Sequence, residues 1–347
     1  MKKFTALLLA LLMLLGLAAC AEEPKESETL PALTTEEKTE NKTEEAPDNT
    51  VVRLKALTGP TGMGLATLLH NNKEGSGNKR SYEAELVSTP DQLTGPIIGK
   101  LCDIAAVPVN LAATLYQKTE GKIQIICANT LGVLYMVENG NAVKTVADLK
   151  GKTIYAPNPG STPEYVLRYV LKENGIDPDK DVTLEFLTGG DEVAAKLSTT
   201  PGAIGMLPEP KKSAFLTQNK DWRVCLDMTE EWDKVAGEGN TLVQGVFIAR
   251  KEFIENHPQA VKDFLDDYNA SQNNVNTSET EGVAHIVEAG ILPNEGLAKK
   301  AVPGCNITFM EGKEMKAAVS KCLQVLFEAN PKSVGGKLPA DDIYYAR

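Results

Sequence analysis

The sequence has few of the residues that carry out chemistry. It contains three histidines, His70, His257 and His285, which we interpret as surface or capping residues because they fall within or near the ends of predicted helices. No Gly-x-Ser-x-Gly, His-Glu-x-x-His or Cys-x-x-Cys motif occurs. The glycine-rich residues 59–64 are not followed by the Gly-Lys-Ser/Thr of a nucleotide P-loop. We therefore predict no catalytic residues, no metal site and no cofactor.

An excess of basic charge is also lacking. The chain has 36 Lys and Arg residues against 47 Asp and Glu residues, a net charge of −11, so it has no basic footprint for nucleic acid. Beyond the first twenty residues, no apolar run is long enough to span a membrane. The apolar fraction of 42% is ordinary for a globular protein, and the length is ample for two domains. We expect a monomer that binds no nucleic acid.

The six cysteines form no metal-binding pattern. Cys102, Cys127 and Cys225 lie in or beside apolar runs typical of strands, which predicts core packing. Cys305 and Cys322 are close enough in sequence to pair in an oxidising compartment, or they stay free. A chain of this size does not need a disulfide for stability.

The first residues form an export signal. Lys2 and Lys3 precede an apolar run over residues 4–17, and Ala18 and Ala19 lead into Cys20. The ending Leu-Ala-Ala-Cys resembles the lipobox of bacterial lipoproteins. This resemblance implies cleavage after residue 19 and a lipid on the Cys20 thiol. The alternative is an ordinary signal peptide in which Cys20 is incidental.

An acidic segment follows the signal. Residues 21–50 hold ten acidic residues against three lysines, with scattered proline and threonine and no helical or strand periodicity. Such a segment cannot bury enough apolar surface to offset its ordering entropy. We predict that residues 20–50 form a solvated tether between a lipid anchor and the folded body.

The body alternates strand and helix patterns, which is typical of α/β folds. We predict a two-lobe α/β protein, in which each lobe is a mixed or parallel sheet flanked by helices and two strands form the hinge. Residues 51–137 and 243–347 make the first lobe, and residues 138–242 make the second. The helical patterns over 258–274, 279–289, 294–301 and 313–329 are expected to cover the first lobe. A ligand is then expected between the lobes, where strand carboxyl ends meet helix starts.

Two helix starts are candidate binding segments. Thr61, Gly62 and Met63 follow the first strand, and Ser161 and Thr162 follow a strand of the second lobe, with Thr162 predicted as the N-cap and Pro163 as the first helical residue. Free backbone N–H groups and the helix dipole at such ends bind anions or polar oxygens. The alternative is that both segments are simply well-capped turns.

Four further candidates follow strands or lie in the hinge. Asn110 and Thr130 follow strands of the first lobe, although Asn110 can instead cap the next helix. Tyr135 can stack on a planar ligand or pack within a hinge strand. Glu209, between two prolines, can accept from a ligand amine or ring N–H, or can join the first helical turn.

Four segments carry a family resemblance: residues 57–64 (LTGPTGMG), 102–110 (CDIAAVPVN), 143–152 (VKTVADLKGK) and 203–210 (AIGMLPEP). In this order, and behind a lipobox, they resemble the periplasmic-binding-protein superfamily, and within it the branch that binds nitrate, taurine, aliphatic sulfonates and thiamine precursors. The resemblance covers about residues 51–330. It implies an extracytoplasmic solute-binding lipoprotein, anchored to the outer face of the membrane, that delivers a small ligand to an ABC permease and its ATPase.

The ligand class stays open at this point. The predicted cleft loops carry little Arg or Lys, which weighs against a purely charge-based sulfonate site. A carboxylate at Glu209 would favour a ligand with a donor, such as a small heterocycle or an amino compound. Two other functions are alternatives: a sensory lipoprotein that presents its ligand to a membrane receptor, and a small-molecule lyase, against which the export signal argues.

Overall fold

The computed structural model describes residues 48–346, which form two sheets flanked by helices. The predicted signal peptide, Cys20 and the tether up to residue 47 lie outside the described residues. Within the described part of the chain, no helix is both long and apolar enough to cross a membrane.

The first sheet has six strands in the order β11-β4-β10-β3-β1-β2. Their bounds are β1 Val52–Leu57, β2 Tyr82–Val87, β3 Ile104–Pro108, β4 Ile123–Leu131, β10 Val243–Arg250 and β11 Ile307–Met310. Strands β1, β2 and β3 are parallel, and β10 runs antiparallel to both β3 and β4. The sheet is mixed, as predicted.

The second sheet has five strands in the order β7-β6-β8-β5-β9. Their bounds are β5 Leu134–Asn139, β6 Thr153–Pro157, β7 Thr183–Leu187, β8 Ile204–Pro208 and β9 Trp222–Asp227. Strands β6, β7 and β8 are parallel, and β5 runs antiparallel to β8 and β9.

The helices of residues 48–346 cover both sheets. Their bounds are α1 Pro60–Met63, α2 Ala66–Glu74, α3 Asp91–Ile98, α4 Val109–Lys118, α5 Thr162–Glu173, α6 Gly190–Thr199, α7 Lys211–Gln218, α8 Met228–Ala236, α9 Lys251–Asn256, α10 Pro258–Thr277, α11 Glu281–Glu288, α12 Glu295–Ala301 and α13 Gly312–Ala329. Short 3₁₀ turns occupy Val146–Leu149, Val302–Cys305, Pro331–Val334 and Asp341–Ile343.

The chain changes sheets twice. It leaves the first sheet after Leu131 and enters the second at Leu134, and it returns between Asp227 and Val243. Strand β5 therefore pairs wholly within the second sheet, although residues up to 137 were assigned to the first lobe. The division into two lobes stays a proposal, and strand pairing favours a first boundary before Leu134.

The C-terminal helices are not confined to the first sheet. Helix α10 packs on α2 and α11, but α13 contacts α5 as well as α4, and α12 contacts α7. One apolar cluster joins β3, β4, β5, α5 and α13. This shared core ties the second sheet to the C-terminal part of the chain.

Helix α5 shows how the local sequence sets an element. Its apolar stripe, Val166, Leu167, Val170 and Leu171, is buried as the spacing predicts. The N-cap is Ser161 with extended backbone (φ −129°), and Thr162 is the first helical residue, so the prediction of Thr162 as the cap was wrong. Pro at the second helical position loses no hydrogen bond, which allows the helix to begin one residue earlier.

The buried polar groups of the first sheet include a three-residue ion cluster at its amino edge. The carboxylate of Asp103, 4% exposed, accepts from Arg53 Nε at 2.9 Å, Arg53 Nη2 at 2.6 Å and Arg250 Nη2 at 2.6 Å. Arg53 lies in β1, Asp103 precedes β3 and Arg250 ends β10. The cluster therefore joins three strands at the edge opposite the carboxyl ends of β1 and β3, where the antiparallel β10 ends.

Histidine and cysteine placements correct one prediction. His285 is buried rather than a surface or capping residue, because its ring stacks on His70 with centroids 3.9 Å apart and its Nδ1 lies 3.0 Å from Thr67 Oγ1. His257 does occupy the N-cap position of α10. Cys305 and Cys322 are both free and buried, so the alternative of a disulfide between them is not realised.

Candidate functional site

The carboxyl ends of both sheets meet where the chain crosses between them. Helices α1, α4, α5, α6, α7 and α8 begin within a few residues of the ends of β1, β3, β6, β7, β8 and β9. The crossing at residues 131–134 joins the carboxyl end of β4 to the start of β5 at this same edge. Helix starts and crossing strands together define the ligand position expected for such α/β proteins.

Thr61 and Thr130 lie close together at the carboxyl edge of the first sheet. Thr130, fully buried, donates from Oγ1 to the Pro60 carbonyl at 3.3 Å and to Asn129 Oδ1 at 3.1 Å, and Asn129 donates to the Thr61 carbonyl at 3.1 Å. Gly245 fits against them because a Cβ there would lie 2.5 Å from Asn129 Oδ1. Thr130 thus positions α1, and the partly exposed Thr61 is the member nearest solvent.

Gly62 and Met63 can offer only backbone to a ligand. A Cβ at residue 62 would lie 2.2 Å from the Leu57 carbonyl oxygen, so only glycine lets α1 pack this closely on the end of β1. The Met63 side chain is fully buried in an apolar cluster with residues of α2, α11 and α12. The Gly62 N–H already donates to the Gly59 carbonyl at 3.1 Å, so Gly62 has no free N–H to offer a ligand, and the candidate role of Met63 is limited to its backbone.

Asn110 lies in the first turn of α4, at the same edge. Helix α4 begins at Val109, so Asn110 does not cap a helix at residue 111. Its carbonyl accepts from Thr114 Oγ1 at 3.1 Å, and no hydrogen bond of its side-chain amide occurs within the described chain. The partly exposed amide is free to contact a ligand.

The start of α5 has open backbone donors. The Ser161 hydroxyl donates to the Asn158 carbonyl at 2.5 Å and does not cap the helix. Glu164 accepts from Gly160 N at 2.7 Å and from Arg168 Nε at 2.7 Å, which offsets its charge. The N–H groups of the first turn therefore have no side-chain acceptor, and Thr162, 8% exposed, lies beside them.

The four helix starts of the second sheet differ in capping. Helices α5 and α6 have no side-chain cap, whereas Asp227 accepts from Thr229 N at 2.8 Å at the start of α8. At α7, Glu209 Oε2 accepts from Ser213 N at 3.2 Å. The chain's own carboxylates thus accept from helix N–H groups at α7 and α8. At α5 and α6, Glu164 and Glu192 instead accept from Gly160 N and Thr188 N, which precede the helices, and leave the first helical N–H groups without a side-chain cap.

Glu209 is engaged by its own helix. Its side chain is fully buried, and Oε1 accepts from Lys212 Nζ at 2.5 Å and from Ser213 Oγ at 2.8 Å. These contacts favour the interpretation in which Glu209 joins the first turn of α7. The charge of the carboxylate is compensated by Lys212, so little remains to attract a cationic ligand.

Tyr135 links the hinge to the C-terminal part of the chain. Lys212 Nζ lies 4.3 Å from its ring centroid, and its hydroxyl donates to the Gly304 carbonyl at 2.8 Å. Burial raises the pKa of Tyr135 well above its usual value. The Lys212 ammonium covers the ring of Tyr135, and the Tyr135 hydroxyl is hydrogen-bonded. Tyr135 therefore packs in the hinge and exposes little of its ring for stacking on a ligand.

Two lysines at this edge were not predicted as site residues. Lys212, whose side chain is 13% exposed, packs against Glu209 and Tyr135, and the exposed Lys211 pairs with Asp191 at the start of α6. The spacing of Glu209 and Lys212, three residues apart across a helix start, is the signal that could have found the first pair. Across residues 48–346, no group of His, Cys, Asp or Glu side chains is arranged to hold a metal ion.

At Gly304, the 3₁₀ turn 302–305 packs closely against side chains at the start of α7. A Cβ at Gly304 would lie 2.5 Å from Glu209 Oε1 and 3.1 Å from Lys212 Nζ. We expect Gly304→Ala to lower the free energy of unfolding by about 1–2 kcal/mol, because buried groups must shift to admit the methyl group. Urea denaturation measures the loss. The matched control is Gly95→Ala in α3, where no atom lies within 4 Å, and equal stability of the two variants would contradict the contact.

The chain matches a family model over residues 109–290, more than half of its length. The family is described as "ABC transporter, phosphonate, periplasmic substrate-binding protein". A search of curated proteins finds no match.

Solved structures share the fold. An ABC transporter protein from Parabacteroides distasonis is 23% identical, with a TM-score of 0.71 over 86% of this chain and 99% of that one. The periplasmic aliphatic sulphonate binding protein SsuA from Escherichia coli is 17% identical, with a TM-score of 0.65 over 85% and 92%. The alkanesulfonate-binding protein SsuA from Xanthomonas axonopodis pv. citri, bound to MOPS, is 16% identical, with a TM-score of 0.55 over 83% and 94%. These likenesses confirm the periplasmic-binding-protein fold, and with the family match they show that the chain belongs to the periplasmic substrate-binding proteins of phosphonate-type ABC transporters.

Proposed function

We propose that this protein captures a small organic oxyanion, a sulfonate or phosphonate, at the carboxyl edges of its two sheets. It does so as a lipoprotein held at the outer face of the cell membrane by Cys20, and it delivers the ligand to an ABC permease and its ATPase. The observation that carries the ligand class is the open start of α5 and of α6, beside two helix starts that the chain's own carboxylates occupy.

Open helix starts suit an oxyanion for two reasons. Their first N–H groups have no partner within the helix, and the helix dipole places partial positive charge there. Hydrogen bonds from N–H groups to a charged oxygen are roughly twice as strong as neutral ones. A tetrahedral head with three oxygens can accept from several such donors, including the N–H of Thr61 across the edge.

The pairing of charged side chains near the site also supports an oxyanion as the ligand. The one buried carboxylate among the candidate residues, Glu209, is paired with Lys212, and Asp191 in the first turn of α6 is paired with the exposed Lys211. A binding site for a cationic ligand would instead present an uncompensated carboxylate. This arrangement weakens the heterocycle and amine alternatives that rested on Glu209.

The relatives point in the same direction by their names. The description of the matched family names phosphonate, and two of the structures that share the fold are named for sulphonate or alkanesulfonate binding. Phosphonates and sulfonates share a tetrahedral oxyanion head, which is the feature that helix starts recognise. A lyase or a sensory role has no comparable support among the residues of the site.

Ligand capture on this fold requires relative movement of the two lobes. The proposed cycle begins with binding at one lobe, continues with closure about the crossing at residues 131–134, and ends with docking of the closed form on the permease. The segment 300–306 is placed to take part, because Ser213 Oγ donates to the Lys300 carbonyl at 3.1 Å and Asn306 Nδ2 donates to the Gly132 carbonyl at 2.6 Å.

Calorimetric titration and thermal unfolding of the full chain test the ligand class. Ethylphosphonate and ethanesulfonate are expected to bind saturably, and a ligand at a hundred times its Kd should add about 2.7 kcal/mol to the free energy of unfolding. Thiamine and a nucleobase are the comparison ligands. Binding of these alone, or binding of none of the four, would contradict the proposal.

A further inference from the structure

Two side-chain oxygens near the carboxyl edges of the sheets are buried without a hydrogen-bond partner. Across residues 48–346 the buried side-chain atoms without a partner are Gln244 Oε1 and Thr229 Oγ1. Thr229 Oγ1 lies against Gly132 in the crossing, where a Cβ on residue 132 would come within 2.2 Å of it. Thr229 lies in the first turn of α8 and Gln244 lies in β10, so both oxygens are near the edge where the helices begin. Gly132 packs against the Thr229 oxygen, and Gln244 is therefore the residue considered further.

Strand register places Gln244 among the candidate residues. Gly245 pairs with Pro108 at the end of β3, and Val243 pairs with Leu131 at the end of β4. Gln244 therefore lies beyond the end of β3, next to the start of α4 that carries Asn110. Its neighbour Gly245 contacts Thr61, Asn129 and Thr130 from the other side of the strand.

An unpartnered buried carbonyl is unfavourable in the protein alone. Burial removes the oxygen from water and returns no hydrogen bond, and native structures hold few such groups. The penalty disappears when a donor reaches the oxygen. At the edge of a binding site, that donor can belong to the ligand.

We propose that Gln244 Oε1 accepts a hydrogen bond from an amino or hydroxyl group of the ligand. This role of Gln244 rests on the proposed function. It narrows the substrate class to short sulfonates or phosphonates that carry a hydrogen-bond donor next to the oxyanion head. A neutral amide suits this role because a carboxylate at the same place would repel the head. Asn110, whose amide is also free of hydrogen bonds within the described chain, supplies a second neutral group beside it.

The experiment compares ligands that differ only by the donor. The full chain and Gln244→Met are titrated calorimetrically with taurine, 2-hydroxyethanesulfonate and ethanesulfonate, and with 2-aminoethylphosphonate and ethylphosphonate. The wild-type chain is expected to bind the donor-bearing ligands about tenfold more tightly, the effect of one good hydrogen bond. Gln244→Met should lose that preference and bind the ethyl compounds as the wild type does.

Each outcome separates the two proposals. Equal affinity of the wild type for both kinds of ligand, or a preference that survives in Gln244→Met, would overturn the role of Gln244 and leave oxyanion binding intact. If no sulfonate or phosphonate binds, oxyanion binding itself fails, and the role of Gln244 fails with it. Gln259→Met, exposed at the start of α10 near the opposite sheet edge, is the matched control and should keep the preference. Thermal unfolding confirms folding, because removal of an unpartnered buried oxygen should not lower the Tm.

Discussion

Asp103→Ala is expected to lower the free energy of unfolding by about 3–5 kcal/mol, the usual loss when one partner of a buried ion cluster is removed. The substitution leaves Arg250, whose side chain is 13% exposed, and the half-exposed Arg53 without their shared carboxylate. It also frees the Arg53 backbone N–H, which donates to Asp103 Oδ2 at 3.0 Å. Because the cluster joins β1, β3 and β10, its loss loosens the amino edge of the first sheet. Urea denaturation at pH 7 measures the change.

The matched control is Asp341→Ala. Asp341 is also an ion-paired aspartate. It pairs with the single cation Lys316, with Nζ at 2.8 Å, and its side chain is 85% exposed. Surface pairs of this kind contribute about 0–1 kcal/mol. A loss for Asp103→Ala no larger than for Asp341→Ala would contradict a buried, cooperative cluster.

The same cluster predicts an acid-sensitive stability. Burial acts to raise the pKa of Asp103, but hydrogen bonds from Arg53 and Arg250 outweigh it and hold the pKa below the ordinary value of 3.8. The stabilisation is therefore complete above about pH 4 and is lost as the pH falls through the lowered pKa. The unfolding free energies of the wild type and Asp103→Ala should converge in that acid range.

Ser161→Asp is expected to have opposite effects on stability and on binding. An aspartate at the N-cap accepts from the open N–H groups of α5 and should stabilise the fold by about 0.5–1 kcal/mol. The same carboxylate occupies the donors proposed for the ligand and repels its oxyanion. We expect the affinity for ethylphosphonate or ethanesulfonate to fall about 100-fold, equivalent to about 2.7 kcal/mol. Calorimetric titration and thermal unfolding of one preparation measure both effects.

Thr280→Asp is the matched control for Ser161→Asp. Thr280 is exposed at the N-cap of α11, which also has no side-chain cap, and α11 packs on α2 and α10. This variant adds the same charge away from the proposed site and should bind within about twofold of the wild type. Unchanged affinity in Ser161→Asp would remove the start of α5 from the binding site.

Much of the fold could be predicted from the alternation of patterns. Strand β1 appears as an alternation of apolar and charged residues before a glycine-rich turn, β3 as an apolar run ending at proline, and helices such as α5 show a clear apolar stripe. Element types were predicted well where the pattern was long. Gly132 marks a break before β5, but the transfer of β5 to the second sheet depends on its pairing with β8 and β9 and could not be seen locally.

Short elements were missed for a related reason. Helix α1 has four residues, and Gly59, Pro60 and Gly62 lie directly before or within it, so local propensity indicates a turn. Packing of Met63 into the core beneath α2 and the close approach of Gly62 to Leu57 make it helical. Strand β11, also four residues long, forms only because β4 offers it an edge.

The candidate site could be placed from the sequence, but the roles of its side chains could not. Sequence position put Glu209 directly after a strand, as observed, but Thr130 lies within β4 and not after it, because the strand extends to Leu131. The partners Pro60 and Lys212 are set by tertiary packing. Gln244 had no motif to draw attention to it. Its interest arises from a buried oxygen without a partner, which is visible only in three dimensions.

A crystal structure of the protein with ethylphosphonate tests the central claim most directly. We expect electron density for the tetrahedral head at the starts of α5 and α6. The phosphonate oxygens should lie within about 2.7–3.2 Å of the nitrogen atoms of backbone N–H groups near Thr162 and Gly190. A head bound at the Glu209 side chain, or on a face away from the carboxyl edges of the sheets, would contradict it.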